Sequence, residues 1–314
     1  MSVYMITGVS GYLGSKILKS LCERPDVDKI IGVDIAKPAN IPEIMDFHAM
    51  DVRDPDLRKL ARDEKVEVMI HLAFVLNPIR NLVKMHSIDY WGTDNVLRAT
   101  AECGAKQLFV TSSASAYGAL ADNPEPLYEE HPLRAPQSFQ YAYDKARIDD
   151  MCRDFTESHP EVAATIVRPC IVLGPNVDNY ISRGLTLMKF HIGGEDPTLQ
   201  FVHEDDVARA CIMCIERKAH GFYNLAGKDT LKLSELWDMV GGSLPEMSLP
   251  HWMVYPAIDL LWQMGIGKIE APSGQLEFMR WPWWMSVEKI QKEVGFEPEY
   301  SSGEALKAFL DTSK

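Results

Sequence analysis

The sequence is short of basic residues and has no segment typical of exported proteins. Its 314 residues carry 45 acidic and 32 basic side chains, which give a net charge of −13. With no run of Lys and Arg interleaved with aromatics to offset it, this charge would repel phosphate backbones and anionic lipid surfaces. Residues 3–7 already have the pattern of a buried strand, and no charged and then apolar leader comes before them. We therefore expect a cytoplasmic protein that does not bind nucleic acid.

Long apolar runs are also missing. Residues 251–266 are apolar and aromatic, but Pro256, Asp259 and Gly265 interrupt them. A membrane-spanning helix needs roughly 18 or more consecutive apolar residues. The segment is therefore predicted to be a buried or surface-docked helix, and we expect no integral membrane segment.

The sequence also lacks a disulfide framework and metal-ligand patterns. The six cysteines are scattered through predicted helices and strands, which indicates free thiols in a reducing compartment. Cys211 and Cys214 have CxxC spacing, but they lie in an apolar helical run with no second Cys or His pair nearby, so core packing is the favoured interpretation. His48, His86 and His191 show no metal-ligand spacing. We expect no metal.

What the chain does have is a regular alternation of apolar, strand-like runs and amphipathic, helical runs over its first two thirds. This alternation predicts an α/β fold with a parallel, doubly wound sheet of the Rossmann type. The predicted strands are residues 3–7, 29–34, 44–51, 66–73, 107–113 and 162–168. The predicted crossover helices are residues 12–22, 55–63, 82–103 and 139–158.

A glycine-rich turn, TGVSGYLG, joins the first predicted strand to the first predicted helix. Gly8 can make the tight turn, Gly11 lets the backbone approach a pyrophosphate, and Gly14 permits close packing of helix on sheet. The turn is therefore predicted to bind a dinucleotide, and a purely structural turn is the alternative. The candidate cofactor contacts here are Gly8, Ser10, Gly11, Tyr12, Leu13 and Gly14.

An acidic residue stands at the end of the second predicted strand. Asp34 follows the glycines by about 20 residues, where a carboxylate can accept hydrogen bonds from ribose hydroxyls and would repel a 2′-phosphate. This position favours NAD over NADP, although Lys37 is close enough in sequence to weaken the exclusion. A solvated Asp at a strand end is the other interpretation.

After Pro169 the pattern changes, because Gly and Pro recur and the helical runs become short. We expect residues 1–169 to form an NAD-binding Rossmann domain, and residues 170–314 to form mainly a smaller C-terminal substrate-binding lobe. Part of residues 199–226 is expected to return to the first domain. The short helical runs are residues 204–215, 233–240 and 301–310.

The spacing TGxxGxxG resembles that of the short-chain dehydrogenase/reductase superfamily, and further matches extend to about residue 208. Together they resemble its extended branch, which includes sugar-nucleotide epimerases and dehydratases and the 3β-hydroxysteroid dehydrogenases. The matching segments after the glycines are DVRD at 51–54, HLA at 71–73, GTDN at 92–95, SSASAYG at 112–118 and YAYDK at 141–145. The resemblance implies further cofactor contacts at Asp51, Val52, Leu72, Ala73, Asn95 and Pro169, with Asn95 bracing the active site.

Three residues are predicted to carry the chemistry. Tyr141 and Lys145 are four apart in a helical run and share a face, and a nearby Lys⁺ lowers the pKa of a phenol. Ser113 closes a strand at the carboxyl edge of the sheet, where its hydroxyl can polarise the reacting oxygen. The implied mechanism has Tyr141 exchange the proton of an alcohol or ketone while NAD exchanges hydride, with Lys145 also binding the nicotinamide ribose.

The substrate side is less well determined. Dehydratases of the branch carry an Asp-Glu pair directly after the active-site Ser or Thr, and here Ala114 and Ser115 stand there, so dehydration is disfavoured. Sugar-nucleotide enzymes commonly have an Asn where this chain has Ile171. Candidate substrate contacts are Ser115, Tyr143, Ile171 and His203, of which Tyr143 could instead pack, and His203 could simply precede an acidic helix start.

Six of the seven tryptophans lie in the final third. They predict a pocket for an apolar ligand, with packing of the lobe core as an equal alternative. We therefore predict an NAD-dependent oxidoreductase acting on an apolar secondary alcohol or ketone. A sugar-nucleotide 4-epimerase with tightly bound NAD and a non-catalytic NAD sensor are the alternatives. By resemblance, a homodimer through residues 82–103 and 139–158 is expected.

Overall fold

The computed structural model of the chain describes residues 2–185, 189–241, 247–266 and 269–312. Its strands are β1 (Ser2–Thr7), β2 (Val27–Asp34), β3 (Met45–Ala49), β4 (Val68–His71), β5 (Gln107–Thr111), β6 (Ala163–Pro169), β7 (Ile171–Leu173), β8 (Phe190–Ile192), β9 (Thr198–Leu199), β10 (Phe201–His203), β11 (Gly221–Leu225), β12 (Leu231–Lys232) and β13 (Met247–Leu249). Its α-helices are α1 (Tyr12–Cys22), α2 (Asp56–Asp63), α3 (Leu82–His86), α4 (Gly92–Cys103), α5 (Gln140–Ser158), α6 (Tyr180–Leu185), α7 (Glu204–Arg217), α8 (Leu233–Val240), α9 (His251–Met264), α10 (Glu288–Val294) and α11 (Ser302–Thr312).

The central element is a seven-stranded parallel sheet with the strand order β3-β2-β1-β4-β5-β6-β11. Neighbouring residues of β1 point to opposite faces: Met5 packs in a layer with helices α2, α4 and α5, and Ile6 packs in a layer with α1 and α7. The predicted Rossmann-type fold is confirmed. The strand order reverses beside β1, and in such sheets ligands bind at the carboxyl ends of the strands around that point.

The run predicted as one helix over residues 82–103 is continuous but not uniform. A π-helical turn, Ser87–Trp91, separates α3 from α4. Such turns insert one extra residue and often occur at functional sites. This one packs against α5, the helix that carries Tyr141 and Lys145.

The C-terminal part contributes both to the sheet and to a separate core. Two elements of this part belong to the layers of the central sheet. Helix α7 packs on α1, and strand β11 forms one edge of the sheet. A second core gathers residues of β7, β10, α8 and α11 around Trp237. Helix α9 lies on the surface with Val254 as its buried residue, and the structure describes no helix that is long and apolar enough to span a bilayer. The six cysteines are free thiols, and Cys211 and Cys214 pack in the core.

Candidate active site

A cavity of about 540 Å³ lies at the carboxyl ends of β1, β4, β5 and β6 and extends into the C-terminal lobe. It brings together twelve of the residues predicted from the sequence. These are Gly8, Gly11, Tyr12, Leu13, Gly14, Leu72, Ser113, Ser115, Tyr141, Lys145, Pro169 and Ile171.

The glycine turn occupies one end of this cavity. Gly8 has a φ of +78°, and a Cβ there would lie 2.7 Å from the backbone of Ala73, so the turn needs a residue without a side chain. A Cβ on Gly14 would overlap the carbonyl of Gly8, which explains how α1 begins so close to the strand. No side chain caps the first turn of α1, whose N-cap is Gly11. A helix start of this kind offers backbone N–H groups and a positive dipole end to a phosphate.

Asp34 ends β2 beside this turn but does not line the cavity wall itself. Its carboxylate accepts hydrogen bonds from the main-chain N–H groups of Ser10, at 3.0 Å, and Ala36, at 3.1 Å. The Ser10 hydroxyl in turn donates to the carbonyl of Ala36. Asp34 is half-buried, whereas Lys37 is exposed. The carboxylate therefore holds the glycine turn in place and keeps lone pairs for a further donor.

The turn after the third strand is held by contacts of its own residues and of α4. Asp51 pairs with Arg53, whose guanidinium lowers the pKa of that carboxyl, and Val52 is buried against Gly92. The Asn95 amide donates to the carbonyls of Val52, at 2.9 Å, and Asp54, at 2.8 Å. The Asn95 side-chain nitrogen thus fixes this turn, and its role of bracing the active site stays a prediction.

Ser113 and Tyr141 meet in the middle of the cavity. The Ser113 hydroxyl accepts hydrogen bonds from the N–H of Ser115, at 3.1 Å, and from its hydroxyl, at 2.8 Å. Burial raises the pKa of Tyr141 above its ordinary value, and a hydrogen bond with Ser113 lowers it in part. The expected lowering of this pKa by Lys145 is not seen, and the Lys145 Nζ lies 5.8 Å from the centre of the Tyr141 ring.

Lys145 lies deeper than Tyr141 on the same face of α5. Its Nζ donates to the carbonyl of Thr111, at 2.8 Å, and sits 3.0 Å from the centre of the Phe74 ring. Burial lowers the pKa of Lys145, and the charge of Asp89 is the strongest influence in the opposite direction. The ammonium is therefore held between a carbonyl and an aromatic face, and the charge of the buried Asp89 favours its protonated form.

Asp89 is a residue that the sequence interpretation missed. It lies in the π-helical turn, is 1 % exposed, and accepts a hydrogen bond from the N–H of Val75 at 2.8 Å. The available signal was an acidic residue within an otherwise partly apolar helical run, which also fits an exposed helix face. Its burial depends on how the π-helical turn packs against α5, and no local pattern in the sequence indicates that.

Of the four predicted substrate contacts, two line the cavity and two do not. Ser115 and Ile171 are the two that line it. Tyr143 does not, and its hydroxyl receives only a long contact of 3.5 Å from Gln137 at the surface. His203 does not line the cavity either. Its buried ring accepts a hydrogen bond from the N–H of Asp205, at 3.2 Å, and so caps the start of α7. The same ring stacks on Tyr300. The alternative interpretation, a strand end before an acidic helix start, describes His203 correctly.

Some aromatic residues of the final third of the chain line the cavity, and others do not. Trp237, Phe278 and Trp283 line the cavity. Trp252 is 70 % exposed on α9 and belongs to neither pocket nor core. Among the residues that the structure describes, no group of three or more His, Cys, Asp or Glu side chains could hold a metal ion.

Residues 4–226 match the model of the NAD dependent epimerase/dehydratase family. The chain belongs to this family. The predicted resemblance is therefore confirmed, as are the enzyme class and NAD as the cofactor, since the family is defined by both.

Two curated relatives show how far the similarity reaches. A mouse protein named short-chain dehydrogenase/reductase family 42E member 1 is 25% identical, and the alignment covers 94% of this chain and 84% of that protein. An uncharacterised protein of Mycobacterium tuberculosis is 24% identical over 97% of this chain and 82% of its own length.

Solved structures share the fold at lower identity. A UDP-glucose 4-epimerase of Thermus thermophilus, in complex with NAD, is 21% identical with a TM-score of 0.75 and covers 99% of this chain and 98% of its own. A dTDP-glucose 4,6-dehydratase of Bacillus anthracis, also with NAD, is 15% identical with a TM-score of 0.73, covering 100% and 96%. At these identities the likeness shows the fold alone.

Proposed function

We propose that this protein is an NAD-dependent oxidoreductase that interconverts an apolar secondary alcohol and its ketone, with Ser113, Tyr141 and Lys145 as the acid/base set. One observation carries the proposal. The hydroxyls of Ser113 and Tyr141 and the ammonium of Lys145 face one cavity whose other walls are mostly aliphatic and aromatic. That combination supplies proton transfer and oxygen polarisation next to a surface that binds hydrocarbon.

The residues present fit NAD. The cradle of Gly8 and Gly14 with the uncapped start of α1 suits a pyrophosphate, and Asp34 beside it suits ribose hydroxyls. Leu72 and Pro169 line the wall between this cradle and Tyr141. Bound NAD supplies the acceptor or donor of hydride.

The chain's own groups handle the proton and the oxygen. The Ser113 hydroxyl hydrogen-bonds the substrate oxygen and fixes it beside Tyr141. The Tyr141 oxygen takes the alcohol proton during oxidation and returns it during reduction. The hydrogen bond with Ser113 offsets in part the burial that raises the pKa of that phenol. Burial of Ser113 and Lys145 limits the access of bulk water to the reacting atoms.

The lining of the cavity favours an apolar substrate over a nucleotide sugar. Lys145 is the only cationic side chain among the described lining residues, whereas the carboxylates of Asp178 and Glu270 face the same space. A diphosphate would meet these acids without an Arg clamp, because Arg183 is already paired with both of them.

The side-chain oxygens of two amides in the lining are engaged within the protein. Asn77 accepts the N–H of Tyr180 at 3.0 Å, and Asn179 accepts the N–H groups of Ile181 and Ser182. These two oxygens are therefore less available to sugar hydroxyls, and Ile171 adds an apolar wall to the cavity.

Epimerisation of a sugar nucleotide is the second candidate, because the matching family and several structures with the same fold are epimerases. The two are separated by one set of assays. The protein is incubated with UDP-glucose and with UDP-galactose, and separately with NAD and cyclohexanol, 1-phenylethanol or 2-decanol while NADH formation is followed. We expect NADH from the alcohols and no interconversion of the sugars. Efficient interconversion with no activity on the alcohols would overturn the proposal.

A further inference from the structure

A row of aromatic rings leads from the Tyr141 phenol into the C-terminal lobe. The ring centroids of Tyr141 and Phe139 are 6.0 Å apart. Phe139 meets Phe278 at 5.7 Å with an interplanar angle of 67°, and Phe278 meets Trp283 at 5.0 Å with an angle of 89°. All four residues line the same cavity. Phe139, Phe278 and Trp283 therefore form an aromatic wall that begins one ring away from the proposed acid/base group.

We propose that this aromatic wall is a subsite for an aromatic ring of the substrate, and that the preferred substrate is an aryl-substituted secondary alcohol or its ketone. The inference rests on the proposed function, since it names the group that the alcohol carries. Aromatic rings favour tilted and edge-to-face contacts with centroids about 4.5–7 Å apart. The rings of the wall already meet one another in this way, and a substrate ring placed against them continues the series.

The wall presents hydrocarbon to the cavity. Its one polar side-chain atom, Nε1 of Trp283, donates a hydrogen bond to the carbonyl of Phe278 at 3.1 Å. A sugar ring placed against these three side chains would lose hydrogen bonds to water and gain none from them. An aryl ring has no such bonds to lose. The wall therefore favours an aryl group over a sugar.

The wall is positioned by close contact between two segments of the chain. A Cβ on Gly274 would lie 2.4 Å from the carbonyl oxygen of Ser138, so the 3₁₀ turn Ser273–Met279 packs directly on the residues that lead into α5. Asp259 of α9 accepts hydrogen bonds from the N–H and the hydroxyl of Ser273, both at 2.8 Å. This turn carries the middle ring of the wall. Rings that are held in place before the ligand arrives cost less free energy to order on binding.

The position of the wall also limits where the substrate carries its ring. The substrate oxygen is proposed to contact Ser113 and Tyr141, and Phe139 is the next ring along the cavity. A molecule that uses both contacts needs its ring at the carbinol carbon or one bond away from it. A long unbranched alcohol can fill the lobe but makes no ring contact with the wall. We therefore expect 1-phenylethanol to be preferred over its ring-saturated counterpart, 1-cyclohexylethanol.

The first test measures binding without turnover. The full-length protein is loaded with NAD⁺, which cannot reduce a ketone, and is titrated calorimetrically with acetophenone and with cyclohexyl methyl ketone. The two ketones have the same carbon skeleton and differ in the saturation of the ring. We expect acetophenone to bind roughly 2- to 13-fold more tightly, the gain of an aromatic contact beyond burial of area. Equal affinities, or tighter binding of the saturated ketone, would overturn the subsite.

Variants of the middle ring test whether the wall causes this preference. Phe278→Leu keeps an apolar side chain but removes the ring, and should bring the ratio of the two Kd values close to 1. Phe278→Tyr keeps the ring and should preserve the ratio. Partial loss of folded protein does not alter a ratio measured with two ligands on one variant. Phe190→Leu is the matched control, because it removes a cavity-lining ring that packs in another cluster, with Val254, and should leave the ratio unchanged.

The affinity for NAD separates a substrate ring from the nicotinamide ring as the occupant of the wall. The Kd for NAD should be the same in Phe278→Leu and in the wild type. A weaker affinity for NAD in this variant, with an unchanged ratio for the two ketones, would assign the wall to the cofactor and refute the proposal.

Kinetics distinguish failure of the subsite from failure of the proposed function. NADH formation gives kcat/KM for 1-phenylethanol and for 1-cyclohexylethanol, and we expect the wild type to favour the aryl alcohol and Phe278→Leu to lose that preference. Oxidation of both alcohols by the wild type with equal kcat/KM would refute the subsite and leave the proposed function standing. Tighter binding of acetophenone that Phe278→Leu abolishes, with no oxidation of any alcohol, would refute the proposed function and keep the aryl subsite.

Discussion

The Tyr12 hydroxyl donates a hydrogen bond to the carboxylate of Glu204, and so joins the first turn of α1 to the first turn of α7. Glu204 is fully buried and also receives Lys16 and the amide of Asn176. Asn176 lies in the turn after β7, at the beginning of the C-terminal lobe. One carboxylate therefore ties the glycine turn to the part of the chain that completes the cavity.

The first prediction follows from this bond. Tyr12→Phe removes a hydrogen bond to a buried charge and should lower the free energy of unfolding by about 1–3 kcal/mol, measured by urea denaturation. Tyr143→Phe is the matched control, because its hydroxyl has only the long surface contact with Gln137 and should change stability little. Equal effects of the two substitutions would contradict the role given to Glu204.

The second prediction concerns the acid/base phenol. Tyr141→Phe should abolish turnover and leave the affinity for NAD within a few-fold, because the phenol proton is needed only in the chemical step. Turnover is followed as NADH formation, and affinity by calorimetric titration of the cofactor. Tyr143→Phe, two residues away on another part of α5, should keep its activity. A Tyr141→Phe enzyme with normal turnover would remove Tyr141 from the mechanism.

The third prediction concerns the choice of cofactor. We expect the wild type to prefer NAD over NADP, and Asp34→Ala to narrow that preference, because the carboxylate repels a 2′-phosphate. The measurement is kcat/KM with each cofactor. Asp28→Ala changes an exposed carboxylate on the same strand and should leave the ratio as it was. Similar efficiency of the wild type with both cofactors would show that Lys37 or a neighbour overrides Asp34.

The fourth prediction concerns assembly. We propose a homodimer through the helices at residues 82–103 and 139–158, and the first of these exposes apolar side chains: Val83 is 81 % exposed and Trp91 is 54 % exposed. Val83→Asp should convert the dimer to a monomer in light scattering at micromolar protein. Ile35→Asp, at a similarly exposed apolar position outside these helices, should not. A monomeric wild type would rule the dimer out.

The fifth prediction concerns acid stability. His71 is buried between the hydroxyls of Thr7 and Thr93, and burial lowers its pKa to about 3. A base whose pKa is lower in the folded state than in the unfolded state contributes fully to stability at a pH above its pKa in the unfolded state, near 6.5. That contribution is lost as the pH falls from there toward the folded-state pKa of about 3. At pH 5 the loss relative to pH 8 should be about 2 kcal/mol.

His71→Gln tests this loss, because glutamine can keep both hydrogen bonds without titrating. Urea midpoints are compared at pH 5 and pH 8 for the variant and the wild type. The variant should depend less steeply on pH, whatever its absolute stability. Parallel pH profiles would show that His71 is not the group responsible.

The layered sheet and the cluster of glycine turn, Ser113, Tyr141 and Lys145 could be predicted because their signals are local. Strand and helix periods are read within a few residues, and parallel strands bring their carboxyl ends to one edge whatever the loops do. The same reasoning could not place His203 at the start of α7. Whether a polar side chain faces the cavity or caps a neighbouring element depends on packing between segments far apart in the chain.

Asp89 shows the same limit more sharply. It belongs to a predicted helix, but the structure forms a π-helical turn there, between α3 and α4. A regular period of 3.6 residues does not predict such a turn. The burial of Asp89 depends on how this turn packs on α5, and no spacing in the sequence encodes that packing.

The position of β11 at the edge of the sheet also bears on synthesis of the chain. Strand β6 is complete at Pro169, but its parallel neighbour is not available until Leu225 has left the ribosome. At about 5–20 residues per second, translation of the intervening segment takes several seconds. During that interval the nascent chain presents an unpaired, apolar strand edge of the kind that templates aggregation. The edge of β6 in the nucleotide-binding half therefore stays unpaired until β11, from the C-terminal part of the chain, has been synthesised.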